Sequence, residues 1–400
     1  MARHRPAMLV DARVNSFPGA HGIARSVMKL VAHFEPADDL ALKVLVNPAE
    51  PQLFPLSELP AHAEVVGTDI TVGAAHRCVE LARRLRSVDA AVLYVPFPAF
   101  TPLIRPCPLV VTLHDCMQEE DVEFAGGWHR QAALKVATSA ALRCAAAITT
   151  PSSASLAVIR HHYPAAPRPT VVPNGVDVSQ FAPATAGEIA TARRLYGLPD
   201  RYILTVGAHR PHKNHELLVR ALAALPADVS LVIVGGPDPR FYVPLPELIA
   251  ELGLAARVHL VQDVADRWLP AVYSAASVFA MPSLAEGFGI PAVEAMACGV
   301  PVIASDIPPL AEVTGGAAVL VAPRDLPGWI SVLRTVLADQ ALADHLSRGG
   351  TAAARSVSWR RGAAALRSLL ADVAAGKRPS GRRVPAPDPL AASEAAAVAR

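Results

Sequence analysis

Short runs rich in β-branched residues recur along this 400-residue chain, each followed by an alanine- and leucine-rich stretch of helical period. Strands that alternate with helices need crossover connections, and crossovers make neighbouring strands parallel, so the pattern predicts an α/β fold. In the first half, strands are expected at 8–14, 42–46, 91–95, 109–113 and 147–150, with helices at 23–34, 74–87 and 129–145 among them. The stretch 164–183 then holds five prolines, including Pro173 ahead of Asn174 and Gly175, a combination that favours turns. Beyond this junction a second series begins, with strands at 202–206, 231–234, 258–261, 278–281 and 301–304 and helices at 215–224, 245–252, 267–276 and 291–298. At roughly 150 residues per domain the length suits two domains, and the repeated rhythm makes two similar, doubly wound domains facing one another the economical picture.

Composition removes several function classes. Lys and Arg total 37 against 35 Asp and Glu, a formal charge of +2, which does not suit a nucleic-acid binder. Charged residues at 18% against 52% hydrophobic mark a soluble globular chain. The five cysteines, Cys78, Cys107, Cys116, Cys144 and Cys298, are scattered and contain no Cys-x-x-Cys pair. That spacing excludes a disulfide scaffold and a structural zinc site, and it suits a reducing, cytoplasmic compartment. Asp11 interrupts the apolar start before a signal-peptide core could form. The apolar window 90–113 contains Pro96, Pro98, Pro102, Pro106 and Pro108, so no membrane-spanning helix is expected. From Gly376 the chain is first basic and proline-rich, then alanine-rich, and a disordered tail is expected there.

The segment 278–305, VFAMPSLAEGFGIPAVEAMACGVPVIAS, carries the most chemistry. Pro291 suits the start of a helix of about two turns, Gly299 suits a left-handed cap after it, and Pro301 prevents continuation. Gly287-Phe288-Gly289 precedes that helix. The lack of side chains there would let a phosphate approach backbone N–H groups at a helix end that favours negative charge. Glu286 and Glu294, eight positions apart, can accept hydrogen bonds from the hydroxyls of a sugar or ribose; the plainer alternative is that they only complement the helix dipole. Gly287 to Ala292 also fits the G-x-G-x-x-A dinucleotide pattern, but Pro282 to Glu286 separate it from its strand, which makes the match weak.

Three further groups fall at strand ends. After strand 202–206 come Gly207 to Asn214, in which Asn214 suits the cap of the next helix and would bring Lys213 and Arg210 beside that helix's N-terminus. A diphosphate clamp or a solvated basic loop would both explain them. Pro18-Gly19-Ala20-His21-Gly22 follows the first strand, and His114-Asp115 follows strand 109–113, where a histidine is either structural or functional. No Walker loop, His-Glu-x-x-His or Asp-x-Asp site is present.

Taken in order, HGIARS, VTLHD, TPSS, VVPNGVD, YILTVGAHRPHKN, LVIVGG and PSLAEGFGIPAVEAMACGVPVIASDIPPLAEV resemble the retaining, nucleotide-sugar-dependent glycosyltransferases of family 4, over nearly all of residues 8–375. The last segment is the most specific, since it matches the family's Glu-x7-Glu signature with Glu286 and Glu294 as its acids. The resemblance implies the GT-B fold, two Rossmann-like domains facing across a cleft. The acceptor domain would span 1–178, the donor domain 179–356, and a helix at 357–375 would return to the first domain, leaving 376–400 as the tail. It further implies that Glu286 contacts the donor sugar, that Glu294 holds the ribose, and that backbone groups of Phe288, Gly289 and Ile290 meet the sugar and phosphates. Lys213 would grip the diphosphate, His114 would lie near the reacting sugar, and Gly19, His21 and Gly22 would line the acceptor side, with Gly22 also reaching the donor. Many relatives carry an arginine either where this chain has Ala208 or just before the lysine, where it has His212, and Arg210 is the candidate replacement.

The implied chemistry is hexosyl transfer, with mannose-like donors foremost, from a GDP- or UDP-linked sugar to a glycan or lipid-linked acceptor in bacterial surface polysaccharide assembly. Charge developing on the leaving diphosphate would be met by Lys213, Arg210 and helix N–H groups, so neither metal nor organic cofactor is expected. Arg77, Arg83, Arg84 and Arg86 on one helix suit either a peripheral contact at the inner membrane face or a solvated helix face. The competing readings are a GT-B sugar-nucleotide epimerase, a nicotinamide-dependent oxidoreductase, and a silent sugar-nucleotide binding protein.

Overall fold

The computed structural model describes residues 6–17, 21–36, 40–72, 78–102 and 104–377. They form two units, each built on a wholly parallel sheet. The described residues up to 120, together with 127–174 and 359–377, make the first; 121–126 and 175–358 make the second.

The first unit has seven strands: β1 (Ala7–Asp11), β2 (Ala41–Val46), β3 (Glu64–Gly67), β4 (Ala90–Val95), β5 (Leu109–Thr112), β6 (Ala147–Thr150) and β7 (Thr170–Val171). Their order is β3-β2-β1-β4-β5-β6-β7, so the chain reverses direction across the sheet between β1 and β4. Val10, Val44, Val92, Val110 and Ile148 are fully buried, as strands covered by helices on both faces require. Helix Trp359–Ala374 packs on helix His21–Ala32 and on β1 and β4, placing the last described helix in the unit where the chain starts.

The second unit has β8 (Tyr202–Val206), β9 (Ser230–Val234), β10 (Val258–Val261), β11 (Val278–Met281), β12 (Val302–Ser305) and β13 (Val319–Val321), in the order β10-β9-β8-β11-β12-β13. Tyr202, Phe279 and Trp329 are buried within it, and the Tyr202 hydroxyl donates to the Val272 carbonyl at 2.6 Å. Here the direction reverses between β8 and β11. In open parallel sheets the loops leaving such a pair part to opposite faces, and the crevice opened at the carboxyl ends is where ligands bind.

Several expectations are corrected. The strand expected at 8–14 ends at Asp11, because Arg13 folds its guanidinium back onto the Asp11 carboxylate at 2.6 Å and onto the Ile70 carbonyl at 3.1 Å, and a 3-10 turn, Arg13–Ser16, replaces its end. The helix expected at 23–34 is His21–Ala32, which puts His21 and Gly22 in its first turn rather than in the preceding loop. The chain passes between units at 174/175 and 358/359, a few residues from the expected 178/179 and 356/357, and 121–126 join the second unit. The expected tail, apart from Gly376 and Lys377, lies outside the described residues, as do Gly19 and Arg77.

Candidate functional site

The reversal between β8 and β11 brings together the two loops that the sequence singled out. Lys213 ends a 3-10 turn, Pro211–Lys213, after β8, and its Nζ donates to Glu286 Oε1 at 2.7 Å. Ser283 Oγ donates to the same oxygen at 2.7 Å. The side chains are 16% and 10% exposed, so this ion pair is shielded but reachable. Two more bonds join the loops: Leu284 N–H to the His212 carbonyl at 2.7 Å, and Asn214 Nδ2 to the Pro282 carbonyl at 3.0 Å. Asn214 occupies the N-cap position of the following helix, as expected, but its side chain makes no capping bond. It adopts a left-handed backbone at φ 53° and spends its amide on Pro282 and Pro323 carbonyls instead.

Helix Ile290–Ala297 begins right after Gly289, whose φ is 100°. A Cβ there would strike Leu310 Cδ2, so both conformation and space demand glycine. The Phe288 side chain is buried in the core, and what that stretch presents at the helix start is backbone. Glu294 is 2% exposed and accepts a hydrogen bond from the Tyr273 hydroxyl at 2.9 Å. Glu286 and Glu294 therefore differ in kind: one is paired with a cation near the surface, the other is held inside by a phenol.

The loop after β9 adds groups that the sequence reading passed over. Arg210 Nε donates to Asp238 Oδ2 at 2.7 Å, and Arg240 Nη2 donates to that same atom at 2.5 Å. Burial opposes ionisation of Asp238, but the Arg240 hydrogen bonds and the charges of both arginines override it and hold the carboxyl well below its usual range. Gly235, at φ 134°, permits this neighbourhood, since a Cβ there would collide with the Gly207 carbonyl. His209 N–H donates to the Gly236 carbonyl at 2.9 Å, tying the β8 and β9 loops together. Behind these cations lie three buried imidazoles. Burial, then the charges of His209 and Lys213, lowers His215 to about 3; burial, then Lys213 and Arg210, puts His212 well below its ordinary value; burial lowers His209. All three are neutral at pH 7. Nothing in the spacing of Gly235 to Arg240 gives Asp238 two arginine partners.

In the first unit, His114 follows β5 and its Nε2 lies 3.0 Å from the Pro96 carbonyl at the end of β4. A carbonyl can only accept, so Nε2 carries the hydrogen and Nδ1 is an acceptor. Burial lowers this imidazole to about 4, against the opposing effect of Pro96. His21 and Gly22 are exposed, and among the described residues a Cβ at Gly22 would meet nothing within 4 Å. Of the basic helix, Arg84 is committed to the Gly67 carbonyl at 2.9 Å. Among the described residues no helix is long and apolar enough to cross a membrane.

Comparison with known proteins adds the following. The family model described as Glycosyl transferases group 1 matches residues 192–353, and that described as Glycosyltransferase Family 4 matches 60–180. D-inositol 3-phosphate glycosyltransferase of Corynebacterium glutamicum (strain R) is 33% identical over 235 residues, which is 56% of this chain and 56% of that protein. The chain thus spans about half the length of the curated relatives it matches. Among solved structures, sucrose-phosphate synthase from Thermosynechococcus elongatus has a TM-score of 0.74 at 22% identity, covering 94% of this chain and 100% of that one. Anabaena Alr3699/HepE in complex with UDP and glucose has a TM-score of 0.73 at 21% identity, covering 92% and 100%. At such identities the structural likeness speaks to the fold.

Proposed function

Because the chain belongs to the family 4 glycosyltransferases of GT-B fold, we propose that it transfers a hexose, with retention, from a nucleoside diphosphate sugar to an acceptor hydroxyl. The observation that carries this reading is the Lys213–Glu286 ion pair at the β8/β11 reversal, beside the Gly289 helix start. A departing diphosphate gains negative charge as the anomeric bond breaks, and Lys213, with the N–H groups at Ile290, supplies preorganised compensation. Glu286 orients Lys213 before the donor arrives and offers its carboxylate to a sugar hydroxyl once Lys213 turns to phosphate. Glu294, steadied by Tyr273, accepts the ribose hydroxyls. His114 presents an unprotonated Nδ1 to a hydroxyl of the reacting sugar, and His21, Gly22 and Gly19 serve the acceptor.

The donor is GDP- or UDP-linked, and UDP gains support from the HepE complex. Mannose-like transfer to a glycan or lipid-linked acceptor in polysaccharide assembly, at the cytoplasmic membrane face, remains the substrate proposal. The curated relatives' name favours a second one, a phosphorylated cyclitol as acceptor. The proposed reaction uses no metal or organic cofactor, so transfer should persist in EDTA. A thermal-shift panel of UDP, GDP, ADP and NAD, followed by donor hydrolysis with the matching sugar nucleotides, tests the reading. Stabilisation by NAD alone would overturn it. Glu294→Ala should weaken diphosphate binding about tenfold, a loss of about 1.4 kcal/mol.

A further inference from the structure

Within the second unit, a hollow of about 500 Å³ opens where the end of helix Ile290–Ala297 meets helix Gln340–Ala354. Arg348, Thr351 and Arg355 lie along one side of the second helix and its C-cap, two turns from first to last, and all three line the hollow. Both arginines are exposed, and among the described residues neither guanidinium has a hydrogen-bond or ion-pair partner. The lining contains these two cations and no carboxylate, although the chain as a whole is nearly balanced in charge. Acids close by in the chain are occupied elsewhere: Asp344 accepts from Gln340 Nε2 at 2.7 Å, and Glu188 closes the capping box with Thr185. Positive charge in the hollow is therefore left uncompensated, which favours an anion.

Two hydroxyls give the wall a second character. Ser347 Oγ donates to the Gly299 carbonyl at 2.6 Å, and Thr351 Oγ1 donates to the carbonyls of Ser347 at 2.9 Å and Met296 at 3.2 Å. A hydroxyl has one hydrogen and two lone pairs, so these oxygens, their hydrogens spent, are acceptors on the wall. A fitting ligand brings negative charge to the guanidinium groups and hydroxyl hydrogens to the two oxygens. The volume falls within the range of about 300–1,000 Å³ usual for small-molecule sites. We propose that this hollow binds a phosphorylated sugar or polyol, with Arg348 and Arg355 on the phosphate and Ser347 and Thr351 accepting from its hydroxyls. It is separate from the donor loops. Helix Ile290–Ala297 starts at Gly289 beside those loops and ends at the hollow, and its eight residues span about 12 Å.

The test titrates the full-length protein by calorimetry with glucose 6-phosphate and glycerol 3-phosphate, using inorganic phosphate and glucose as the two halves of the ligand. At least one of the organic phosphates should bind about tenfold tighter than inorganic phosphate, and glucose should give no saturable heat. Arg348→Gln and Arg355→Gln should each weaken that binding about tenfold, and the double variant should abolish it. Both side chains are exposed and unbonded, so these variants keep the fold. Lys213→Ala, which disables the donor loops, should leave the affinity within about twofold of wild type. Undiminished binding in the double Arg variant would overturn the site, and so would loss of binding in Lys213→Ala, since either result locates the ligand elsewhere. Equal affinity for inorganic phosphate and both organic phosphates would overturn the assigned ligand class. Absence of saturable binding by either organic phosphate up to about 10 mM would overturn the proposal altogether, whatever the outcome for nucleotide sugars.

Discussion

The carboxyl edges of the two sheets solve different problems. In the second unit, loops after β8, β9 and β11 are bonded to one another through backbone and side chains, and four charged residues, Arg210, Lys213, Asp238 and Glu286, are paired among them. In the first, His114 is neutral and answers to one carbonyl, and His21 and Gly22 sit in an exposed helical turn. A site that must stabilise developing anionic charge needs cations fixed before the reaction, because reorganising them during it raises the barrier. Groups that recognise hydroxyls need only a lone pair or a donor in reach.

The largest effect expected from this contrast is at Lys213. Lys213→Ala should reduce donor turnover by about 10²-fold or more, by analogy with loss of an oxyanion donor, measured as initial rates of sugar-nucleotide hydrolysis. A loss under threefold would mean that the paired edge does not carry the chemistry. Next comes Gly289→Ala, which imposes both an unfavourable φ and a clash with Leu310. It should cost about 1–3 kcal/mol, read as a fall of several degrees in the unfolding midpoint. An unshifted midpoint would show that the helix start tolerates a side chain.

A smaller change is expected in the first unit. His114→Ala should slow turnover about tenfold, and the wild-type rate should show no inflection near pH 6.5, since this imidazole stays neutral down to about pH 4. A wild-type inflection at 6.5 that disappears in the variant would contradict the neutral assignment. The last comparison concerns stability rather than rate. His215 and His212 resist protonation in the folded chain, whereas the unfolded chain takes up those protons near pH 6.5. Their stabilisation is therefore complete above 6.5 and declines as pH falls through 6.5 toward the lowered folded values, by at most about 1.4 kcal/mol per pH unit per ring. Urea midpoints at pH 7.5 and 5.5 compare the two conditions, and identical values would mean that these rings are not buried neutral.

Much of this contrast is visible in the residue string. Strands 202–206 and 278–281 match β8 and β11 because their apolar runs are bounded by glycine and proline, and the Glu-x7-Glu segment falls where the chain reverses. β3, β7 and β13 are not among the expected strands: each is two to four residues long and only partly buried, too short to stand out from the flanking sequence. Helix Ala186–Tyr196 carries a capping box, Thr185 with Glu188, but lies in a stretch where prolines and alanines blur the period. At the site, Lys213 and Glu286 are legible as types and as neighbours of strand ends, whereas their pairing depends on sheet order. Asp238, Ser283 and Tyr273 matter only through partners 10 or more positions away or through a loop's exact path, which spacing does not encode.

Helix Trp359–Ala374 has a consequence for biosynthesis. The unit that begins at the amino terminus lacks one of its packed helices until residue 374 has left the ribosome, while 175–358 is contiguous and can close first. At roughly 5–20 residues per second, the earlier half waits on the order of 10–40 s for its last piece, with Leu30 and the outer face of β1 uncovered. Chains stalled before residue 359 should accordingly be cleaved by protease within 6–174 and spared within 175–358.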